Sequence, residues 1–472
     1  MQKQLFFDDN NLFARDNAIR RYGEPKPVAS YNDGISSTDY CTGWVFRLDS
    51  GRYRMLYFGQ GADFKGLKVF LATSEDGVHF APETIGDDEV SVDRRYPHEI
   101  MTLGDGCEIA SIYEDTHTDD ASTRYKMLLS EHLPRELAIV DAIYTSPDLI
   151  RWTRVEDAVW GDGTEPQACV FYNEKYGCHT IIERSFWGIR CAGYKETRDW
   201  RTFTDYQPCL NVDAADERLS EIYGMPAVFD CGGTYVGLIH LYHGLDSELN
   251  AKYKNGIIDT QLAYSYDGRY WKRGMREPFI SGVTGNTDKT YPLVWMPCVR
   301  EWDDGVITIY GSASEFEHGP AFRQPGTGRI LVYKLRRDGF ITLATEDKTK
   351  PSVVALRELA WHGGEAHINL KAKRATVAVY CSNESENVGG NVLGISHLVE
   401  GYSHDDCIPF EGDSTDWVPT YKNSNTLDAL KGKTLVLEVR YEEGELYSIS
   451  GDFTLLFNTP AARYRKFGVL PK

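Results

Sequence analysis

The chain has no apolar run long enough to cross a membrane and no CxxC pair. It also lacks a basic stripe, and the first excludes a spanning helix. The ten cysteines, from Cys41 to Cys407, have no regular spacing, so neither a zinc site nor a disulfide framework is expected. Seventy acids stand against 51 bases, a net charge of -19. A polyanion partner needs clustered Lys and Arg, so nucleic acid is excluded as a partner. The start, Met1-Gln2-Lys3-Gln4-Leu5-Phe6-Phe7-Asp8-Asp9, carries no signal-peptide pattern. A reducing, cytoplasmic setting with buried thiols is the expectation. No cofactor is called for, and no metal-ligand cluster stands out.

Long helical periodicity is nearly absent; the best candidate for a short helix is Leu133 to Ala142. What is present is a repeat. Ala72-Thr73-Ser74-Glu75-Asp76-Gly77-Val78-His79-Phe80 joins an alternating apolar stretch to a new aromatic one. Tyr144 to Trp152, Tyr194 to Phe203 and Ala263 to Trp271 repeat it, and Val332 to Phe340 is a degenerate fifth copy. The marker residues Asp76, Asp148, Asp199, Asp267 and Asp338 follow one another at intervals of 72, 51, 68 and 71 residues. A strand ends, a tight turn follows, Ser and Asp side chains bond the turn amides, and an aromatic restarts the next strand. At this period each copy is the outer hairpin of a four-stranded propeller blade.

The fold class read from this pattern is all-β: a five-bladed β-propeller over residues 1–340, then a C-terminal β-sandwich over 341–472. Short alternating strands such as Ala375 to Tyr380 and Thr434 to Arg440 support the second part, and Ser424 to Lys433 reads as a single capped turn.

Blades aim their innermost strands at a central channel, so acids just before inner strands converge. Asp39 precedes Cys41-Thr42-Gly43-Trp44, and Glu99 precedes Ile100-Met101-Thr102. Glu165 and Glu221 precede the apolar stretches at Cys169 and Ala227. Glycoside cleavage uses two carboxyls flanking the bond, and a third can tune the proton donor. His98 and Glu99 open a stretch read as the second blade. Arg184 and Arg190 flank a segment containing Trp187, where they can hold sugar hydroxyls and the indole can stack on a sugar face. Tyr223 follows Glu221, and His318 lies between the last two strand groups; both are candidate substrate contacts.

With those residues in place, the chain resembles the five-bladed propeller glycosidases of the invertase, inulinase and levanase group, and the related arabinanase and xylosidase group. Asp39-Tyr40-Cys41-Thr42-Gly43 stands where that family has Asp-Pro-Asn-Gly. Thr164-Glu165-Pro166 stands for Arg-Asp-Pro, and Glu221 with its following apolar strand for Glu-Cys-Pro. The resemblance implies a glycosidase that removes a terminal furanose, fructosyl or arabinosyl, from short oligosaccharides. Asp39 would be the nucleophile of a retaining mechanism, or the base of an inverting one. Glu165 would be the stabilising acid and Glu221 the general acid. The alternatives are a glycoside phosphorylase or transglycosylase, with Arg184, Arg190 or His318 on phosphate, and a non-catalytic carbohydrate-binding propeller.

Overall fold

The computed structural model describes the chain except residues 1, 36–42, 61–65, 87–89, 91–93, 105–106, 134–137, 162–166, 187–188, 245–255, 284–290, 319–327, 389–390 and 457–472. Of residues 60, 132–133, 138–139, 186, 382–388 and 391–396 it describes the backbone alone. The chain divides into two compact units. One comprises Pro25–Asp230 and Tyr235–Leu335; the other comprises Met1–Glu24, Cys231–Thr234 and Arg336–Lys472. Among the described residues the helical elements are two short 3-10 turns, Ala121–Thr123 and Leu427–Leu430. No described helix is long and apolar enough to cross a membrane.

The larger unit is a five-bladed propeller. Its innermost strands are Gly43–Arg47, Glu108–Glu114, Cys169–Asn173, Ser220–Asp230 and Leu293–Glu301. Each begins an antiparallel meander. The last blade borrows its outer strand from the N-terminal side: Lys26–Tyr31 pairs antiparallel with Arg329–Leu335, with Tyr31 opposite Ile330. This pairing closes the ring. Apolar cores run between consecutive blades all the way round. Cys298, Ile330 and Val332 of the fifth blade share one core with Trp44, Phe46 and Met55 of the first and Met127 and Leu129 of the second. Trp160, Val170 and Trp200 lie in the next, Phe171, Ile182, Ile222 and Met225 in the next, and Tyr223, Ile258, Leu293 and Trp295 in the last. All five inner strands line a central cavity of about 380 Å³, with Trp44, Ser111, Phe171, Pro226 and Pro297 on its wall. An inner strand pairs on one side only, so proline is tolerated there. Both prolines follow a methionine, at bulged registers of their strands.

The repeated turn forms as its residues dictate. Four of the five copies link the third strand of a blade to the fourth. In four copies the Ser or Thr hydroxyl (Ser74, Ser146, Thr197, Ser265) accepts from the second and third amides that follow it. One Asp oxygen then accepts from the second and third amides beyond the Asp. The residue after the Asp takes a positive φ in all four: Gly77 at 70°, Leu149 at 67°, Trp200 at 58° and Gly268 at 74°. Glycine suits that conformation in the first and last; Leu149 and Trp200 hold it because both are buried. Trp152 and Trp271 donate their indole N–H back to the carbonyls of Leu149 and Gly268.

The blade before reaches each turn. Tyr310 Oη donates to the Gly77 carbonyl at 2.7 Å, Arg54 to that of Asp148 at 2.9 Å and Asn173 to that of Asp267 at 2.8 Å. In the third blade the direction reverses: Trp200 Nε1 donates to Asp115 of the second blade at 2.9 Å. Asp115 is buried and also meets Lys126 at 3.2 Å and His179 at 3.0 Å. The fifth copy departs from the pattern. The Asp338 carboxylate takes Lys3 Nζ at 2.7 Å and the Ser448 hydroxyl at 2.6 Å instead of turn amides.

The smaller unit is all-β, with ten strands joined in one hydrogen-bonded network. Its centre is the long strand Leu359–Val388, which pairs with four others. One core holds it, including Phe6, Trp361, Leu370, Val379, Leu437 and Ile449. The division at residue 340 is modified at the other end of the chain. Gln2–Gln4, Leu12–Asp16 and Ala18–Tyr22 pair with Glu445–Leu455, Ser352–Leu356 and Ile341–Thr345, so the first 24 residues join this unit. The expected helix at Leu133 to Ala142 is also corrected. Tyr125–Leu133 and Ala138–Ser146 are paired antiparallel strands of the second blade, because their apolar residues alternate to fill its two faces. The turn expected in 424–433 is present as Leu427–Leu430, without a side-chain cap.

Asp267→Ala removes the oxygen that accepts from the Arg269 and Tyr270 amides and is expected to cost about 1–2 kcal/mol, read as a lower urea midpoint with unchanged slope. The Asp115 carboxyl is pushed up by burial, but His179, Lys126 and the His117 amide outweigh this and hold it well below the usual range. The amides of Thr202 and Arg201 bring Asp199 down to about 2. A depressed carboxyl stabilises above its unfolded pKa of about 4 and loses that contribution as pH falls through the folded value. Urea midpoints should therefore fall below about pH 4. Asp115→Asn should flatten that fall and cost about 3–5 kcal/mol at neutral pH, because it strands Lys126 and His179.

Candidate functional site

Glu221, Tyr223, Arg184, Arg190, Tyr242 and His318 meet at the end of the propeller where the inner strands begin. Ser220–Asp230 starts there, with Glu221 opposite Tyr242 across the ladder. The register shifts between Ile222 and Gly224 and again before Ala227. Such bulges turn a side chain out of its regular alternation, and Tyr223 sits on the first. Gly224 allows this strand to approach the third blade: a Cβ there would lie 2.5 Å from the Gln167 Cβ. Arg184 and Arg190 come from the facing hairpin of that blade, Cys178–Phe186 with Arg190–Thr197.

Arg190 Nη1 donates to Glu221 Oε2 at 2.9 Å in a half-buried ion pair. Arg184 is buried and donates to the Tyr223 carbonyl at 3.4 Å. Both guanidiniums lie against the Tyr223 ring, 4.7 Å and 5.1 Å from its centroid. Cation–π contacts of this kind contribute about 0.5–2 kcal/mol each. The Tyr223 hydroxyl bonds His318 Nε2 at 3.0 Å. Tyr242 and His318 face each other edge to face at 5.6 Å, and Trp295 backs Tyr223 at 6.3 Å. Burial first, and the nearby Glu221 charge second, push the Tyr242 phenol up. The cluster presents one carboxylate, two guanidiniums, an imidazole and two phenols, a set that can bind hydroxyls and oxyanions and move a proton.

The expected residues are distributed as follows. Glu221, Arg184, Arg190, Tyr223 and His318 are brought together. Asp39, Glu165 and Trp187 lie outside the described residues. His98 and Glu99 do not open the second blade. Glu99–Leu103 pairs with Leu67–Ser74 on the outer side of the first, and the inner strand of the second is Glu108–Glu114. Glu99 is fully buried, 2.8 Å from Lys68 Nζ and 2.6 Å from the Thr102 hydroxyl. Its strand is apolar enough to read as central, and only the long-range pairing shows it to be outer. His98 Nε2 lies 3.7 Å from the buried carboxyl of Asp33, which also accepts from the Tyr57 hydroxyl at 2.8 Å. Tyr242 was not foreseen. Its place beside Glu221 depends on cross-strand register, although the polar-aromatic run Tyr242-His243 at a strand end is a visible signal.

Among the described residues no group of three or more His, Cys, Asp or Glu is arranged to hold a metal ion. The described cysteines are free thiols, most of them buried.

No known family model matches the chain, and no curated protein matches it. Solved structures resemble it distantly. One is described as a glycoside hydrolase (13% identity, TM-score 0.45, covering 67% of this chain and 92% of the other). A second is a thermostable family-43 glycoside hydrolase (14%, 0.44, 68% and 96%). A third is an endo-1,4-beta-xylanase from Bacteroides thetaiotaomicron (14%, 0.43, 66% and 97%). At such identities and scores these likenesses assign neither substrate nor reaction.

Tyr223 is the hub of the cluster, and its two faces separate on mutation. Tyr223→Phe loses the His318 bond alone and should shift thermal unfolding little. Tyr223→Ala also removes the ring under both arginines and empties part of a buried core, so it should cost about 3–5 kcal/mol by denaturant titration.

Proposed function

We propose that the protein is a glycosidase that removes a terminal sugar, a furanose in the first instance, from short oligosaccharides. Glu221 carries the reading: a carboxylate at the opening of an inner strand, bonded to Arg190 and walled by Tyr223, Tyr242 and His318. In this scheme Glu221 takes up a proton from solvent once substrate displaces Arg190, and passes it to the leaving oxygen. Arg190 holds the carboxyl in place when the site is empty and exchanges that contact for the substrate on binding. Asp39 is the nucleophile of a retaining reaction and Glu165 the acid that holds a sugar hydroxyl. Both roles rest on the resemblance in sequence order. A close carboxyl pair gives retention and a wider pair inversion.

One observation favours a second reading. Arg184, Arg190 and His318 all converge on Tyr223 beside a single described carboxylate. Guanidiniums with an imidazole suit a phosphate oxyanion, and a phosphorylase uses phosphate in place of one carboxyl.

The test is cleavage of aryl furanosides, aryl pyranosides, sucrose and inulin-type oligosaccharides, each with and without inorganic phosphate. Wild type is compared with Glu221→Gln, Asp39→Asn and Glu165→Gln. The expected outcome is phosphate-independent cleavage, reduced about 10²–10⁴-fold in folded Glu221→Gln. Proton NMR of the first product should show retention. Cleavage only with phosphate selects phosphorolysis. No cleavage under either condition overturns both readings.

A further inference from the structure

His243 ends the strand Tyr235–His243, directly across the ladder from Ser220 and one position from Glu221. It is only 6% exposed, and each ring nitrogen meets a carboxylate. Nε2 lies 2.8 Å from Asp259 Oδ2 and Nδ1 lies 3.2 Å from Glu217 Oε2. A neutral imidazole has one N–H, so two carboxylate acceptors require the imidazolium. Burial opposes that charge; the bonds and charges of Asp259 and Glu217 outweigh it and raise the ring to about 9. Asp259 comes from the neighbouring strand Ile257–Ser265, and Glu217 from the segment that leads into Ser220–Asp230.

That segment is tied down along its length. Asp213 pairs with Arg276 at 2.6 Å. Asp216 is inserted between Arg273 at 2.7 Å and Arg276 at 2.8 Å, and its side chain is buried. Glu217 reaches His243, its carbonyl accepts from the Ser220 amide at 3.0 Å, and the Leu219 carbonyl accepts from the Gly244 amide at 3.1 Å. Arginine keeps its charge at any pH the fold survives. In this strap the His243 contact is therefore the one that switches in the alkaline range, and Glu217 lies closer to Glu221 in the chain than Asp213 or Asp216 does.

We propose that His243, as an imidazolium bridging Asp259 and Glu217, is the positioning residue that fixes the start of Ser220–Asp230 and so sets Glu221 against Arg190. This rests on the reading of Glu221 as a catalytic carboxyl. Loss of the ring proton leaves two carboxylates facing one N–H, and the first turn of the strand comes loose.

The test reads the strand directly. Amide hydrogen exchange of residues 217–223, expressed as protection over intrinsic rates, is followed in the full chain from about pH 7 to about pH 10. In wild type, protection should fall about tenfold or more above about pH 9 while Ile257–Ser265 stays protected. His243→Gln should show the low value already at neutral pH, with no step. Asp259→Asn and the half-exposed Glu217→Gln give the same readout at lower cost to folding and should move the step to lower pH. On the substrate found by the cleavage panel, kcat should lose its alkaline limb in His243→Gln with KM little changed. Protection unchanged to about pH 10 in wild type, or equal in His243→Gln, overturns the proposal. Full activity in Glu221→Gln instead removes the catalytic reading and leaves the exchange result to decide the hold on the strand.

Discussion

The antiparallel pairing of Lys26–Tyr31 with Arg329–Leu335 joins two ends of the propeller unit that are far apart in sequence. Bringing them together costs loop-closure entropy that no local contact offsets. The return is collective. Once the ring closes, the fifth blade completes the core that already holds the first two, and every blade then has an apolar neighbour on each side. An open array would leave two blade faces wet. The clasps from one blade to the next blade's turn add direction to the same constraint, because each fixes where a turn carbonyl or indole sits relative to the preceding blade.

Closure also makes the site. Inner strands present one unpaired edge to the channel, so their backbone is free to bulge and to carry Pro226 and Pro297. Bulges at Tyr223 and before Ala227 turn successive side chains towards the third blade, where Arg184 and Arg190 arrive on a tight hairpin. Neither hairpin nor bulge builds the cluster alone. Their relative position is set by the shared core of Ile182, Ile222 and Met225 beneath them.

The repeat was legible because its chemistry is local: Ser or Thr, then Asp, then three amides, all within six residues. The convergence of Glu221, Arg190, Tyr223 and His318 was legible in part, since Glu221 and Tyr223 lie near the start of one strand, Arg190 opens another and His318 follows the end of a third. The failures are non-local. Glu99 looks like the opening of an inner strand and is an outer one, because apolar alternation is the same in both places. Leu133 to Ala142 reads equally as helix or strand until its partner is known. Asp338 keeps the marker residue of the repeat yet spends its carboxylate on Lys3 and Ser448, two residues at opposite ends of the chain. The pairing of the first 24 residues with Arg336–Lys472 has the same origin.

Charged side chains are placed in this fold in two distinct ways. The net charge is -19, yet among the described residues several buried acids are matched: Glu99 by Lys68, Asp115 by Lys126 and His179, Asp216 by Arg273 and Arg276. The three carboxylates are buried, where a lone one would be costly. Glu221 differs from them in kind. Both side chains are about a quarter exposed, 24% for Arg190 and 25% for Glu221, and the guanidinium also rests on the Tyr223 ring, so opening this pair would leave each charge within reach of water. A structural ion pair is built not to exchange partners. A site that must accept an oxygen from solvent requires one that can, set on a strand whose start is held firmly by other charges.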